Sequence, residues 1–414
     1  MVPNGWSLVK LGDILTLGSG DTKPDDLQKE YSDDSPYPVY GGNNIMGYSS
    51  QKNSSDSVIL IGRVGEYCGV TRYIDKACWI TDNALYTKKV SSEIDKEYLV
   101  SKLKKFDLSR LRNKGGQPLV SQKPIYAVKL PMPPLPEQRK IAKILSTWDK
   151  AIATTEKLIA TSQQQKKALM QQLLTGKKRL VGKDSSRSIR KGFAVNKLGE
   201  IPDDWDVELI SKHYWYQEGP GVRNHQFTDN GVKLFNGTNI QKSRINLSNT
   251  TTYISNEEAY GAYSHFLADS GDLVIACSGI SVERFDEKIA FITEKHLPLC
   301  MNTSTMRFKV KSEATACLTF MRYFMMSDLF KNQIRRQITG SAQLNFGPSH
   351  MAKCFIPLPS LEEQQKIASV LTSADREIEL LEAKLAHLKD EKKALMQQLL
   401  TGKRRVKVDE NVAA

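Results

Sequence analysis

The sequence predicts an α+β protein: two mixed α/β globular domains, each followed by a long helix, with the helices paired as an antiparallel coiled coil about a pseudo-twofold axis. Three observations predict it. Residues 166–177 and 392–403 both read KKALMQQLLTGK, an exact internal repeat. The 226-residue offset between them persists far upstream without a gap. Each repeat also closes a long stretch free of Gly and Pro, with apolar positions at heptad spacing.

The first copy opens with Pro3-Asn-Gly-Trp6 and the second with Pro202-Asp-Asp-Trp205. That offset is 199, so the second copy carries 27 more residues. The first globular domain is expected over 1–130 and the second over 201–355. Both alternate turn clusters with short apolar runs such as Val58-Ile-Leu-Ile61, Cys78-Trp-Ile80 and Gly271-Asp-Leu-Val-Ile-Ala276. Short strands bounded by Gly, Asn and Asp are expected, with a helix before Gln117 and before its counterpart Gln343. Between their opening motifs and these markers the two copies are barely alike.

A helical region is expected over 131–178 and again over 356–406, each entered through prolines: Pro131 and Pro133, Pro357 and Pro359. Pro136 is read as sitting just ahead of the first helix, where a fixed φ costs little. Glu137-Gln138, Ile141-Ala142, Leu145 and Asp149 fall on Glu363-Gln364, Ile367-Ala368, Leu371 and Asp375. Gly176 and Gly402 are the stop signals. The pairing seam is assigned to Leu145, Trp148, Ile152, Ile159, Leu169 and Leu173 in the first helix. In the second it comprises Leu371, Ile378, Leu381, Leu385, Leu388, Leu395 and Leu399. Lys166 and Lys392 at equivalent a positions, with Thr155 and Ser162 at d, weaken the seam and read as register devices or partner contacts. Each helix should run about 55–60 Å. The basic, weakly patterned stretch 179–200 is expected to link the copies, and 407–414 to be a tail.

The 414 residues carry a net charge of +13 and a pI near 9.2, which favours a polyanionic partner, nucleic acid first. Six scattered cysteines without a C-x-x-C pair fit reduced, buried thiols rather than disulfides or zinc. The start lacks a signal-peptide profile and no apolar run would span a bilayer, so a cytoplasmic protein with no membrane association is expected. Phosphate loops, dinucleotide fingerprints, H-E-x-x-H and nucleophile elbows are missing; Gly18-Ser-Gly-Asp-Thr-Lys23 is only superficially like a phosphate loop. No catalytic or metal-ligating residue is assigned. The chain reads as a binder, and an enzyme in its own right would need a cofactor motif that the sequence does not offer. The candidate DNA contacts are the basic clusters at matching places: Arg110, Arg112, Lys114 and Gln117 in the first copy, Arg335, Arg336 and Gln343 in the second. Arg and Lys neutralise phosphates; Arg, Gln and Asn pair with base edges.

The Pro-x-x-Trp openings, Leu135-Pro-Glu-Gln138 with Leu361-Glu-Glu-Gln364, and the repeated Ala-Leu-Met-Gln-Gln-Leu-Leu-Thr-Gly-Lys together carry a resemblance. Gly219-Pro220 followed by Leu234-Phe-Asn-Gly-Thr-Asn-Ile240 adds to it. Over essentially its whole length the chain resembles the specificity subunit of a type I restriction–modification system. The resemblance implies two target recognition domains, each reading one half of a bipartite, asymmetric target in double-stranded DNA. It also implies that the helices set the spacing, so that on a ~55 Å strut the readers address DNA about one helical turn, roughly 34–36 Å, apart. Two methyltransferase subunits would dock on the chain and restriction subunits would join them. The resemblance places S-adenosylmethionine, ATP and Mg²⁺ in those partners, with none bound by this chain. The alternative reading is a coiled-coil adaptor that binds no DNA.

Overall fold

The structure, a computed structural model, describes residues 2–113, 115–180, 192–248, 250–338, 343 and 345–408. Two compact units emerge that do not follow sequence order: Met1–Leu158 with Leu381–Ala414, and Ile159–Leu380. Each long helix contributes one end to each unit.

Unit one begins with β1 (Ser7–Lys10), α1 (Leu11–Ile14) and β2 (Leu15–Ser19). Then come β3 (Tyr37–Tyr40), β4 (Ile45–Ser49), β5 (Val58–Gly62), β6 (Thr71–Ile74), β7 (Trp79–Ile80) and β8 (Ala84–Val90). Helices α2 (Lys96–Phe106) and α3 (Gln122–Ala127), strand β9 (Lys129–Met132) and the long helix α4 (Leu135–Leu174) follow. The main sheet has the order β2-β8-β5-β6, a second sheet β4-β3-β7, and β1 pairs with β9. Strand β2 alternates, burying Leu15 and Leu17 and exposing Thr16, whereas central β5 is buried throughout. Asp95 caps α2 by accepting a hydrogen bond from the Tyr98 N–H at 2.8 Å. The core joins Trp6, Leu17, Ile59, Ile61, Tyr98 and Leu103 to Ile141 and Leu145 of α4.

Unit two opens with the hairpin β10 (Phe193–Asn196) and β11 (Gly199–Pro202). Next come β12 (Asp206–Leu209), α5 (Ile210–His213), β13 (Tyr214–Glu218), β14 (Phe227–Thr228), β15 (Val232–Phe235), β16 (Ile240–Gln241), β17 (Arg244–Ile245) and β18 (Tyr253–Ile254). The series continues with α6 (Asn256–Tyr260), β19 (Leu273–Ala276), β20 (Ile289–Phe291), β21 (Leu299–Met301) and β22 (Thr305–Val310). It ends with α7 (Leu318–Met326), α8 (Asp328–Gln337), α9 (Pro348–Met351), β23 (Phe355–Leu358) and the long helix α10 (Leu361–Leu399). The order β13-β22-β19-β20 reproduces that of the main sheet in unit one, and β12 pairs with β23 as β1 does with β9. The short parallel ladder of β3 on β7 recurs as β15 on β21. The two globular domains, dissimilar in sequence, therefore share one topology. Most of the extra length of the second copy lies between β15 and β19: β18 pairs antiparallel with β15 as β4 does with β3, but β16, β17 and α6 have no counterpart between β3 and β5.

The long helices run antiparallel within each unit. In unit one Lys392 pairs with Asp149 and Lys389 with Glu156, so one helix retreats as the other advances. In unit two Lys166 pairs with Asp375, while the Ser162 hydroxyl donates to Glu377 at 3.4 Å. Asp149 and Asp375 stand at the 226-residue offset, as do Lys166 and Lys392, so the two ion pairs are one contact made twice.

Three boundaries differ from the sequence reading. Pro136 lies inside the first turn of α4 rather than ahead of it, at a position whose N–H has no intrahelical partner in any case. The stretch expected as linker, 179–200, includes β10 and the start of β11. Arg179 and Leu180 at its head are already tied to Glu363. Residues 181–191 lie outside the described residues.

Candidate nucleic-acid interface and helix junctions

In unit one the loops leaving β2, β3 and β5, those entering β8, and the segment before α3 converge at one end of the main sheet. The N–H of Gly20 donates to Ala84 O, that of Arg63 to Asn83 O, and that of Val120 to Arg63 O. A Cβ on Gly42 would stand 2.9 Å from Asn83 O, so only glycine lets these chains approach so closely. The Arg63 side chain joins them, its Nη1 donating to Ser19 Oγ at 3.0 Å and to Asp82 O at 3.5 Å. Nearby, Arg72 Nη2 donates to Asn43 Oδ1 at 3.1 Å, which fixes the amide so that its NH₂ points away from the arginine. Ile45 and Met46, at the start of β4, and Tyr67, on the β5–β6 loop, are exposed.

Unit two builds the same convergence from other residues. Cys277 N–H donates to Ser304 O and Phe346 N–H to Cys277 O, each at 2.9 Å, repeating the two backbone bonds of Arg63. Asn302 Nδ2 donates to Asn236 Oδ1 at 2.9 Å, and Asn345 Oδ1 accepts from the Ser278 hydroxyl and the Gly279 N–H. A Cβ on Gly219 would stand 2.4 Å from Asn302 N. The result is a polar surface rich in Asn, Ser, Thr and Gly, with donors and acceptors held in place by their neighbours.

The residues singled out from sequence lie beside these surfaces. Arg110 falls in the short 3₁₀ turn Leu108–Leu111 and Arg112 just after it; both are exposed, as is Gln117. Their segment packs on the β5–β6 loop, since Gly65 N–H donates to Pro118 O and Gly69 abuts Leu108 and Ser109. Lys114 lies outside the described residues. Arg335 and Arg336 are exposed on the last turn of α8, and Gln343 is exposed two positions before Asn345. The sequence reading missed Arg63, Asn43 and Asn345. The available signal was positional for two of them: Arg63 and Asn43 each follow a buried strand at a Gly- or Asn-rich turn, whereas Asn345 lies between α8 and α9, away from any strand.

The seam residues separate into two cores. Leu145, Leu395 and Leu399 join the core of unit one, and Leu169, Leu173 and Leu371 that of unit two. Trp148, Ile152, Ile159, Leu381, Leu385 and Leu388 are half-buried along the helices, and Ile378 is buried. Lys166 and Lys392 leave the seam for their aspartates, and buried Thr155 returns its hydroxyl to Ala151 O at 2.8 Å.

Beside each seam end stands a matched junction. In unit two Arg179 clamps Glu363 through Nε and Nη2, each at 2.9 Å, and Trp205 Nε1 donates to the same carboxylate at 3.3 Å. In unit one Arg405 clamps Glu137 at 2.7 Å through both nitrogens, and Trp6 Nε1 donates at 3.3 Å. Gly176 and Gly402, both at φ +70°, end the helices against Pro202 and Pro3. Unit one adds buried Lys102, whose ammonium donates to Leu400 O at 2.6 Å over the Trp6 ring; burial pushes it down to about 8.

Burial pushes the Cys277 thiol up to about 12 and those of Cys78, Cys300 and Cys354 up to about 11, which makes all four poor nucleophiles. Among the described residues no group of three or more His, Cys, Asp or Glu side chains is placed to hold a metal ion. Nor is any helix among them long and apolar enough to cross a membrane.

A family model described as the type I restriction modification DNA specificity domain matches residues 3–162 and 219–390. The MjaVIII specificity subunit of a type I restriction enzyme from Methanocaldococcus jannaschii is 29% identical over 415 residues, covering 98% of this chain and 94% of that protein. The EcoprrI specificity subunit from Escherichia coli is 27% identical over 140 residues, 34% of this chain and 35% of that protein. The crystal structure of a type I restriction–modification S subunit from M. genitalium superimposes with a TM-score of 0.64 at 13% identity, covering 96% of this chain and 99% of that one. A second solved chain, from work on complex assembly and conformational transition of the type I system, gives 0.54 at 15% identity, covering 97% and 98%.

Proposed function

The chain belongs to the type I restriction–modification DNA specificity family, and from that premise we propose that it is the non-catalytic, sequence-reading subunit of such a complex. Each domain reads one half of a bipartite, asymmetric site through its convergent loops, and the helices set the spacer between the halves. The carrying observation is that one backbone framework, with the same hydrogen bonds around Arg63 and around Cys277, presents different side chains in the two domains. A shared frame with divergent polar tips suits a pair of readers with different half-sites. The net charge of +13 supplies the non-specific attraction to the DNA backbone.

Two methyltransferase subunits are the proposed partners on the helices, with restriction subunits completing the assembly in the cytoplasm. S-adenosylmethionine, ATP and Mg²⁺ serve those partners in this proposal. The test is to purify the chain with its methyltransferase subunit and sequence the methylated bases of exposed genomic DNA. A split, non-palindromic motif is expected; a palindrome or unpatterned methylation would overturn the reading. The adaptor alternative predicts no salt-sensitive binding to DNA at all.

A further inference from the structure

We propose that Arg63 is a specificity-determining residue of the first domain, reading a guanine in that domain's half-site. The inference rests on the DNA-reading function proposed above and names one contact within it. Arg63 follows the buried central strand β5, and its backbone is held on both sides, by Asn83 O and by the Val120 N–H, each at 2.9 Å. Its Nη1 is tethered to Ser19 Oγ and Asp82 O, both neutral. Among the described residues no carboxylate lies within ion-pairing distance of it, and Nε and Nη2 make no hydrogen bond.

That leaves one edge of the guanidinium, Nε–H with Nη2–H, planar, charged and unused. It is the same edge with which Arg179 and Arg405 grip the two oxygens of Glu363 and Glu137. In the major groove a paired acceptor of matching geometry is the O6/N7 edge of guanine. The half-buried placement of Arg63 at the centre of the loops, with two tethers, favours a base over a phosphate. Phosphate contacts need no such fixed aim, and exposed Arg110 and Arg112 flank the loops to supply them. The equivalent position in the second domain is Cys277, whose Sγ lies against the matching carbonyl, Thr303 O, at 3.4 Å. A buried neutral thiol offers no such fork, so this readout belongs to one half-site only.

The experiment uses the full chain assembled with its methyltransferase subunit, assayed on DNA libraries randomised across the whole target. Wild type should require G·C at one position of the first domain's half-site. Arg63→Ala should lower that preference about 10- to 100-fold, as expected for losing one bidentate pair, and leave the second half-site unchanged. Arg63→Gln should favour adenine there, and Ser19→Ala, which loosens the tether, should soften the same position alone. Uniformly weaker methylation of every sequence by Arg63→Ala would make the residue a phosphate contact and overturn the proposal. Unchanged preference in a variant with wild-type melting would do the same. If wild type itself shows no sequence preference, the DNA-reading function fails instead.

Discussion

Glu137 and Glu363 occupy the same place in the repeat, yet their clamps differ in strength. Glu363 is 2% exposed and its Arg179 partner 16%, whereas the Arg405 partner of Glu137 is 44% exposed. Losing Glu363 leaves desolvated Arg179 with only the more exposed Asp204, which it holds through Nη1 and Nη2 at 2.7 Å, while a solvated partner such as Arg405 is screened and returns to water. Glu363→Gln should therefore destabilise by about 3 kcal/mol and Glu137→Gln by about 1 kcal/mol. Urea unfolding followed by tryptophan fluorescence checks this, since Trp205 and Trp6 donate to those carboxylates. Lys102 belongs at this scale too. Its folded-state pKa of about 8 lies below the ordinary 10.5, so holding it charged costs stability below pH 8. That cost is relieved as pH rises from about 8 toward 10.5, because only the unfolded chain still binds the proton there. Wild type should gain stability relative to Lys102→Met between pH 8 and 10 in thermal melts; a flat difference would remove the buried charge from the account.

At the scale of elements, the identical segments 166–177 and 392–403 finish different cores. Leu173 and Leu174 pack with the sheet of the second domain, and Leu399 and Leu400 with that of the first. Leu174→Ala should cost about 2–4 kcal/mol and, by hydrogen exchange, loosen the strands of the second domain while sparing those of the first. Leu400→Ala should do the reverse, and deleting either segment should abolish assembly. Much of this was legible: heptad spacing marks the residues that are buried or half-buried, and Gly176 and Gly402 mark the stops. Which domain receives which helix end was not, because two identical peptides carry no information about their different neighbours. The shared strand order was hidden for a related reason. Buried strands such as Val58–Gly62 and Leu273–Ala276 need only be apolar, so their residues diverged while the ladder stayed. The convergent loops were less legible still, since Ser19, Arg63, Asp82 and Val120 are joined by pairing far apart in sequence.

For the whole molecule the net charge of +13 and the polar loop surfaces make separate contributions that one measurement resolves. Each cation that neutralises a phosphate releases a counterion, so the logarithm of affinity falls linearly with the logarithm of salt. Base-edge hydrogen bonds add specificity and little salt dependence. Arg112 and Arg336 are exposed, stand beside the loops in the two domains and have no carboxylate partner among the described residues, which fits them to phosphate contact. Substituting either by Ala should weaken binding of the assembled complex to all sequences alike and reduce the salt slope by about one. The methylated motif should stay as it was. Fluorescence anisotropy on specific and scrambled duplexes across a salt series reads both quantities at once. A slope that does not move would take those arginines off the DNA, and an altered motif would make them base readers alongside Arg63. The duplication sharpens the expectation, because one framework with two sets of tips should give two independent sets of effects. A variant in the first domain should alter one half-site, one in the second domain the other, and the double variant both in simple addition.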